Sequence, residues 1–216
     1  MTVHDELQTP PRPAPDGSDV RRVSHSDVPR IARALARAFE DDPVMSWVFR
    51  DDSERLSRLG RGFALYLRRL WLPHDECYLI DGRRSGAALW LPPGKWRLSP
   101  AAQLRLLPHL LRATGRNFTR LARVLHTMEV RHPEDPHHFY LAVLGVEPEL
   151  QGRGFGSSLL QPVLRRCDDE GIPAFLESSK RRNIVFYERH GFRVVEEIQL
   201  PGGGPPLWPM WRDPRG

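Results

Sequence analysis

The sequence predicts a single α/β domain built on a mixed sheet, and three observations predict it. At 216 residues with 40% hydrophobic content, the chain suits one domain with a sizeable core. Segments of strand character alternate with segments whose apolar residues recur at helical spacing. The stretch from Gly145 to Leu160 reads, in order, as strand end, short turn, glycine loop and helix.

Met1 to about Asp19 is rich in proline and poor in apolar residues, the composition of a flexible tail, so the folded domain is expected over 20–216. Val20 to Val23 is a strand, followed by a helix from about Asp27 to Phe39 with Ser26 as its cap and Asp41-Asp42-Pro43 as its stop. Ser53 to Leu72 is a second amphipathic helix, in which Leu56, Leu59, Phe63, Leu67 and Leu70 recur at helical spacing. Cys77 to Ile80 and Gly86 to Leu91 form a strand pair turning through Asp81-Gly82. Ser99 to about His132 is leucine-rich and interrupted near Pro108 and Gly115, which predicts two core-facing helices.

Phe139 to Val146 is a near-continuous apolar run, suited to a central strand buried on both faces. The helix from about Gly154 to Glu170 contains Pro162, which removes a backbone hydrogen bond and predicts a kink; Gly171 ends it. Ala174 to Ser178 returns as a buried strand parallel to Phe139–Val146. Asn183 caps a short helix closed by Gly191. Phe192 to Leu200 and Leu207 to Arg212 make a last hairpin across Gly202-Gly203-Gly204. Its Trp208 and Trp211 pack either internally or on a second subunit, which leaves monomer and homodimer both open.

Composition sets several function classes aside. No apolar run approaches membrane-spanning length and the N-terminus has no apolar signal core, so no membrane partner and a cytoplasmic location are expected. Cys77 and Cys167 are too few for a disulfide framework and are read as buried thiols. His132, His137 and His138 lie near Glu134 and Asp135, but their spacing matches no helical metal pair, and no metal is expected. The net charge of +5 comes from arginines dispersed along helices, which argues for a solvated surface and against a nucleic-acid partner.

The glycine loop is the chemically informative element. Alternating glycines at Gly152, Gly154 and Gly156 remove side chains that would hold a ligand off the backbone, and the N–H groups beyond them stand at the positive end of a helix dipole. A pyrophosphate fits there. Ser157-Ser158 follow Gly156 where a P-loop needs Lys and Ser/Thr, which argues against ATP or GTP. A dinucleotide fingerprint is a closer rival because Glu177 lies about 20 residues on, but the G-x-G-x-G spacing and the turn Glu147 to Leu150 count against it.

Gln151, Gly154 and Gly156, then Ala174-Phe175-Leu176-Glu177-Ser178-Ser179, and then Asn183, Tyr187 and the Gly191-Phe192 pair resemble the GCN5-related N-acetyltransferase (GNAT) family. The likeness is greatest to its puromycin N-acetyltransferase-like branch. It is specific over Phe139 to about Arg212 and looser back to about Val20. The resemblance implies a single domain with a twisted, mostly antiparallel sheet of about seven strands flanked by helices. Two central parallel strands would splay so that the arm of acetyl-CoA slots between them. It further implies a cofactor site formed by Leu144, Gly145, Val146, Gln151, Gly152, Arg153, Gly154, Phe155, Gly156, Ser157, Asn183 and Tyr187.

Acetyl transfer to an amine needs a base, because the amine is protonated at neutral pH, and an acid for the departing thiolate. Glu177, at a strand end beside the loop, is the candidate base, against the alternative of an ion pair with Lys180, Arg181 or Arg182. Tyr187, whose phenol has an ordinary pKa of about 10, is the candidate acid, against a surface-directed hydroxyl. A backbone N–H between Leu144 and Val146 would hold the oxyanion, and Gly145 suggests a bulge or a close backbone approach. The expected activity is therefore direct acetyl transfer from acetyl-CoA to a small-molecule amine. A non-catalytic acyl-CoA module, a peptide or protein acetyltransferase and a basic nucleic-acid-binding domain are the alternatives.

Overall fold

The computed structural model describes residues 20–50, 53–81 and 85–216. Residues 1–19, where a tail is expected, 51–52, and 82–84, which include Gly82 of the expected Asp81-Gly82 turn, lie outside the described residues. The strands are β1 Val20–Arg22, β2 Cys77–Ile80, β3 Gly86–Leu91, β4 Phe139–Val146, β5 Ala174–Ser178, β6 Arg193–Val194, β7 Ile198–Gln199 and β8 Pro206–Arg212. They form one sheet in the order β1-β2-β3-β4-β5-β8-β6, with β7 also on β8. Among the described residues, only β4 and β5 pair in parallel. The described residues hold the expected sheet of about seven strands, one arm of the last hairpin being divided into β6 and β7, both paired to β8.

The parallel pair is short. Phe139, Tyr140 and Leu141 face Ala174, Phe175 and Leu176, but β4 runs on to Val146 without β5. The cause lies on the opposite edge of β4. Leu89 of β3 pairs with Val143 and Trp90 with Leu141, so Ala142 is an extra, bulged residue. A bulge bends its strand and increases local twist, and this one stands where the β4–β5 pairing stops. Gly145 serves the other role considered for it. A Cβ there would lie 2.6 Å from Leu35 Cδ2 and 3.0 Å from Phe39 Cε2, so glycine lets α1 (Val28–Ala38) cross close over the strand.

Two cores sandwich the sheet. On one face α1, α2 (Pro43–Val48), α3 (Arg55–Tyr66) and the π-helical turn Leu67–Trp71 that follows it bury Ile31, Leu35, Trp47, Phe63 and Leu67 against Leu79 and Leu89. On the other, α6 (Phe155–Glu170) buries Phe155, Leu159, Leu160 and Val163 against Trp90, Phe139 and Leu176. No helix among the described residues is long and apolar enough to cross a membrane.

Several local expectations are corrected. Ser26 does not cap α1: a 3-10 turn over His25–Asp27, with Ser24 at its start, leads into the helix, and Asp27 Oδ2 accepts from the Ser24 N–H at 2.9 Å and its hydroxyl at 2.7 Å without capping α1 itself. α4 (Pro100–Thr114) passes through Pro108 without a break, and the chain turns only at Gly115, whose φ of 55° ends the helix. α4 and α5 (Phe118–Arg131) are not core-facing along their length. Leu104 is 71% and Val130 65% exposed, because α4 buries only Leu106, Ala113 and Thr114, and α5 only Val124. α6, by contrast, has the extent that the sequence predicts, with Pro162 inside it. Trp208 is buried and donates to Glu197 at 3.0 Å, while Trp211 is half-buried, with its ring 5.2 Å from His138.

Candidate active site

The parting of β4 from β5 opens a cleft of about 400 Å³. Its walls are Leu141 to Val146 of β4, Leu176 to Lys180 of and beyond β5, the loop residues Leu150, Gln151, Gly152, Gly154, Gly156 and Ser157, and Asn183, Phe186 and Tyr187 around α7 (Ile184–Arg189). Ala38, Phe39 and Asp42 close the side toward α1 and α2. The fold thus gathers residues more than forty positions apart in sequence at one opening.

Backbone polarity along β4 follows from its pairing. The Glu147 N–H donates to the Ser85 carbonyl at 3.1 Å. In an antiparallel ladder successive residues point alternately to one edge and the other, so Gly145 and Val143 address β3 while Leu144 and Val146 face the cleft. The Val146 carbonyl is engaged by Gln151 Nε2 at 3.0 Å, which ties the glycine loop to the strand end.

The loop geometry explains its glycines. Gly152 and Gly154 have φ of 75° and 83°, values that disfavour any side chain, and Gly154 is the N-cap of α6. Gly156 lies under α7, where a Cβ would come 3.1 Å from Phe186 Cζ. Gly154, Gly156 and Ser157, at the start of α6, line the cleft. Two expected contributors stand apart: Arg153 is exposed and does not line the cleft, and the Phe155 side chain is buried in the core beneath α6.

Tyr187 is buried, its ring packed edge-on against Phe186 and Phe192, and it lines the cleft. Burial first and the Asp42 charge second push its phenol well above the ordinary value, so it stays protonated. Glu177 also lines the cleft, with a side chain only 4% exposed. It does not join the basic cluster that follows it, since Lys180 and Arg182 both pair with Asp41, Arg182 at 3.0 Å. Its neighbours are Tyr140, whose phenol its charge helps to keep protonated, and His132 Nδ1 at 3.8 Å. Asn183 precedes α7 but makes no side-chain capping bond, and it faces the cleft.

Asp42 is the residue that sequence reasoning missed. Its Oδ1 accepts the Val44 and Met45 N–H groups at 3.0 Å each, which caps α2, and its Oδ2 accepts from the Ser179 hydroxyl. It is 1% exposed, and burial raises its carboxyl pKa. Asp before Pro is a helix-start signal, so the cap was legible; its burial in the cleft wall depends on the β5 extension folding against it.

Known proteins agree with this geometry. The Acetyltransferase (GNAT) family pattern matches residues 115–192. An uncharacterised N-acetyltransferase of Schizosaccharomyces pombe is 30% identical over 205 residues, 90% of this chain and 83% of that protein. The chain belongs to the GNAT acetyltransferase family, a family of acyl-transfer enzymes whose donor is acetyl-CoA. Among solved structures, histone acetyltransferase HPA2 and related acetyltransferase from Corynebacterium glutamicum superposes with a TM-score of 0.70 at 22% identity, covering 91% of this chain and 96% of that one. Drosophila melanogaster polyamine N-acetyltransferase does so with a TM-score of 0.57 at 15% identity, covering 90% and 98%. At those identities the two share the fold.

Proposed function

We propose that the protein transfers the acetyl group of acetyl-CoA to a primary amine of a small molecule, directly and within a ternary complex. The carrying observation is that one cleft is lined at once by the glycine loop, the unpaired edge of β4, Glu177 and Tyr187. In this reading the amides of Gly152 to Ser157 hold the pyrophosphate, with Arg153 and Phe155 contributing backbone rather than side chains. The Leu144 and Val146 edge, with Gly145 between them, binds the donor's arm as a strand would, and one of its N–H groups stabilises the oxyanion. Asn183, free of capping work, contacts that arm.

Glu177 accepts the amine proton and Tyr187, kept protonated by its surroundings, returns one to the thiolate. The buried carboxyl groups of Asp42 and Glu177 in the same wall suit a cationic acceptor. The polyamine acceptor of the Drosophila neighbour is of that kind. The likeness to the puromycin-like branch adds aminonucleosides and other amine antibiotics to the acceptor class.

The test is thiol release from acetyl-CoA with puromycin, agmatine and a peptide bearing a free N-terminus. Turnover with a small amine that falls about a hundredfold in E177Q or Y187F supports the assignment. Binding of acetyl-CoA without turnover on any amine overturns it in favour of an acyl-CoA-binding module, and turnover on the peptide alone moves the acceptor to a protein.

A further inference from the structure

Behind Glu177 lies a set of buried rings that the transfer reaction leaves without a task. His132 directly follows α5, and its side chain is only 3% exposed. Its ring stacks on Trp96 with centroids 3.9 Å apart and meets Tyr140 and Phe175 edge-on at 4.7 and 4.9 Å. Its Nε2 stands 3.0 Å from Nε2 of His138, whose Nδ1 stands 2.8 Å from the Pro136 carbonyl.

These contacts fix the tautomers by elimination. A carbonyl only accepts, so His138 carries its proton on Nδ1. Burial lowers the His138 pKa, which keeps that ring neutral and its Nε2 bare. His132 must then donate through Nε2–H. A neutral His132 is left with a lone pair on Nδ1, and that atom is the one 3.8 Å from Glu177 Oε1, about 1 Å beyond hydrogen-bond length.

The other charged groups around the ring are engaged elsewhere. Arg131 pairs with Glu196 at 3.4 Å, and Arg97, beside Trp96, pairs with Glu134 at 3.1 Å and Glu129 at 3.9 Å. His137 acts on His138. Tyr140 touches the His132 ring, and burial, with the Glu177 charge, keeps its phenol protonated. Among the described residues, the carboxylate facing His132 is Glu177.

We propose that His132 is a positioning residue for Glu177: its Nδ1 takes over the proton that the carboxylate removes from the acceptor amine, and the His138–Pro136 chain holds the tautomer that makes this transfer available. The inference rests on Glu177 being the base. The amine N–H bond breaks as an O–H bond forms on Glu177. That bond breaks in turn as an N–H bond forms on His132 Nδ1, leaving a carboxylate beside an imidazolium. The proton passes to water once the product has left.

Nuclear magnetic resonance of the full-length protein with isotope-labelled histidine nitrogens tests this without an acceptor, with the resonances assigned through H132Q and H138Q. His132 is expected as the Nε2–H tautomer and His138 as Nδ1–H. In E177Q the His132 Nδ1 resonance should move, since the carboxylate that faces it at 3.8 Å is replaced by an amide. A His132 proton on Nδ1, or an Nδ1 resonance unmoved by E177Q, overturns the proposal.

Turnover on the best amine of the panel separates the two levels. H132Q, whose amide still donates to His138, should lower kcat about tenfold with KM for acetyl-CoA unchanged, and should add nothing on top of E177Q. A slow E177Q beside a fully active H132Q leaves Glu177 as base and removes His132. A fully active E177Q removes the base assignment itself, whatever the tautomers.

Discussion

Replacing Asp42 by Asn and by Ala should have opposite consequences for stability. Its Oδ1 accepts two α2 amides at 3.0 Å and its Oδ2 the Ser179 hydroxyl. Ala forfeits the cap, worth about 1 kcal/mol, and the Ser179 bond, worth about another. In a chain of this length the sum of about 2 kcal/mol lowers Tm by about 4–8 °C. Asn keeps the Oδ1 acceptor and offers Ser179 an N–H in place of an acceptor, which a hydroxyl accommodates.

The charge decides the rest. Burial raises the folded pKa of Asp42 above its unfolded value, so the stability it contributes is present in full below about pH 4 and is lost as pH rises through the folded value. Asn does not titrate. D42N should match the wild type near pH ~4 and exceed it at neutrality, while D42A falls below it at both. Chemical denaturation at the two pH values checks this. A D42N as destabilised as D42A at neutral pH would refute the reasoning, because the carboxylate charge would then be net stabilising.

Four further outcomes are expected. Y187F should fold and bind acetyl-CoA as the wild type does while turnover falls about 10²–10³-fold, checked by thermal unfolding beside the thiol-release assay. G154A, at a φ of 83°, should cost about 1–2 kcal/mol and weaken stabilisation by acetyl-CoA, read from unfolding midpoints with and without it. Asp27 accepts from Arg21 at 2.8 and 2.9 Å, which, with Ser24, holds its carboxyl well below the usual range. D27N should therefore cost about 1–2 kcal/mol at neutrality, allowing for the exposed arginine, and the deficit should shrink as pH falls below about 4. Burial pushes both cysteine thiols up to about 12, so an aromatic disulfide reagent should leave native Cys77 and Cys167 unmodified and label both on unfolding.

What the sequence made legible was governed by local rules. The apolar run of β4, the glycines at positive φ and the Gly171 and Gly191 stops each follow from a few neighbouring residues, and the structure places them within a residue or two. The interruption expected at Pro108 does not occur, because proline removes one amide from a helix whose other bonds persist. The leucine spacing of α4 is helical as expected, but periodicity does not reveal whether a partner covers the stripe, and Leu104 and Leu111 remain exposed.

The site divides in the same way. Glu177, Asn183 and Tyr187 were legible from the order of motifs and do meet at one cleft. The bulge at Ala142 was not, since it is defined by register against Leu89 and Trp90 of another strand. Asp42, Ser179 and the His132–His138 contact join segments far apart in the chain, or rings brought together by a loop, and no local pattern encodes such meetings.

The most direct test of the central claim is thermal unfolding of the full-length protein with acetyl-CoA, NAD and ATP in parallel. At about 100 times its Kd, a ligand that binds only the folded state adds about 2.7 kcal/mol, which for this chain is a rise of about 5–11 °C. The account predicts such a rise with acetyl-CoA and none of similar size with NAD or ATP. No shift with acetyl-CoA, or a larger one with NAD, would contradict the assignment of the β4–β5 cleft to an acyl-CoA donor.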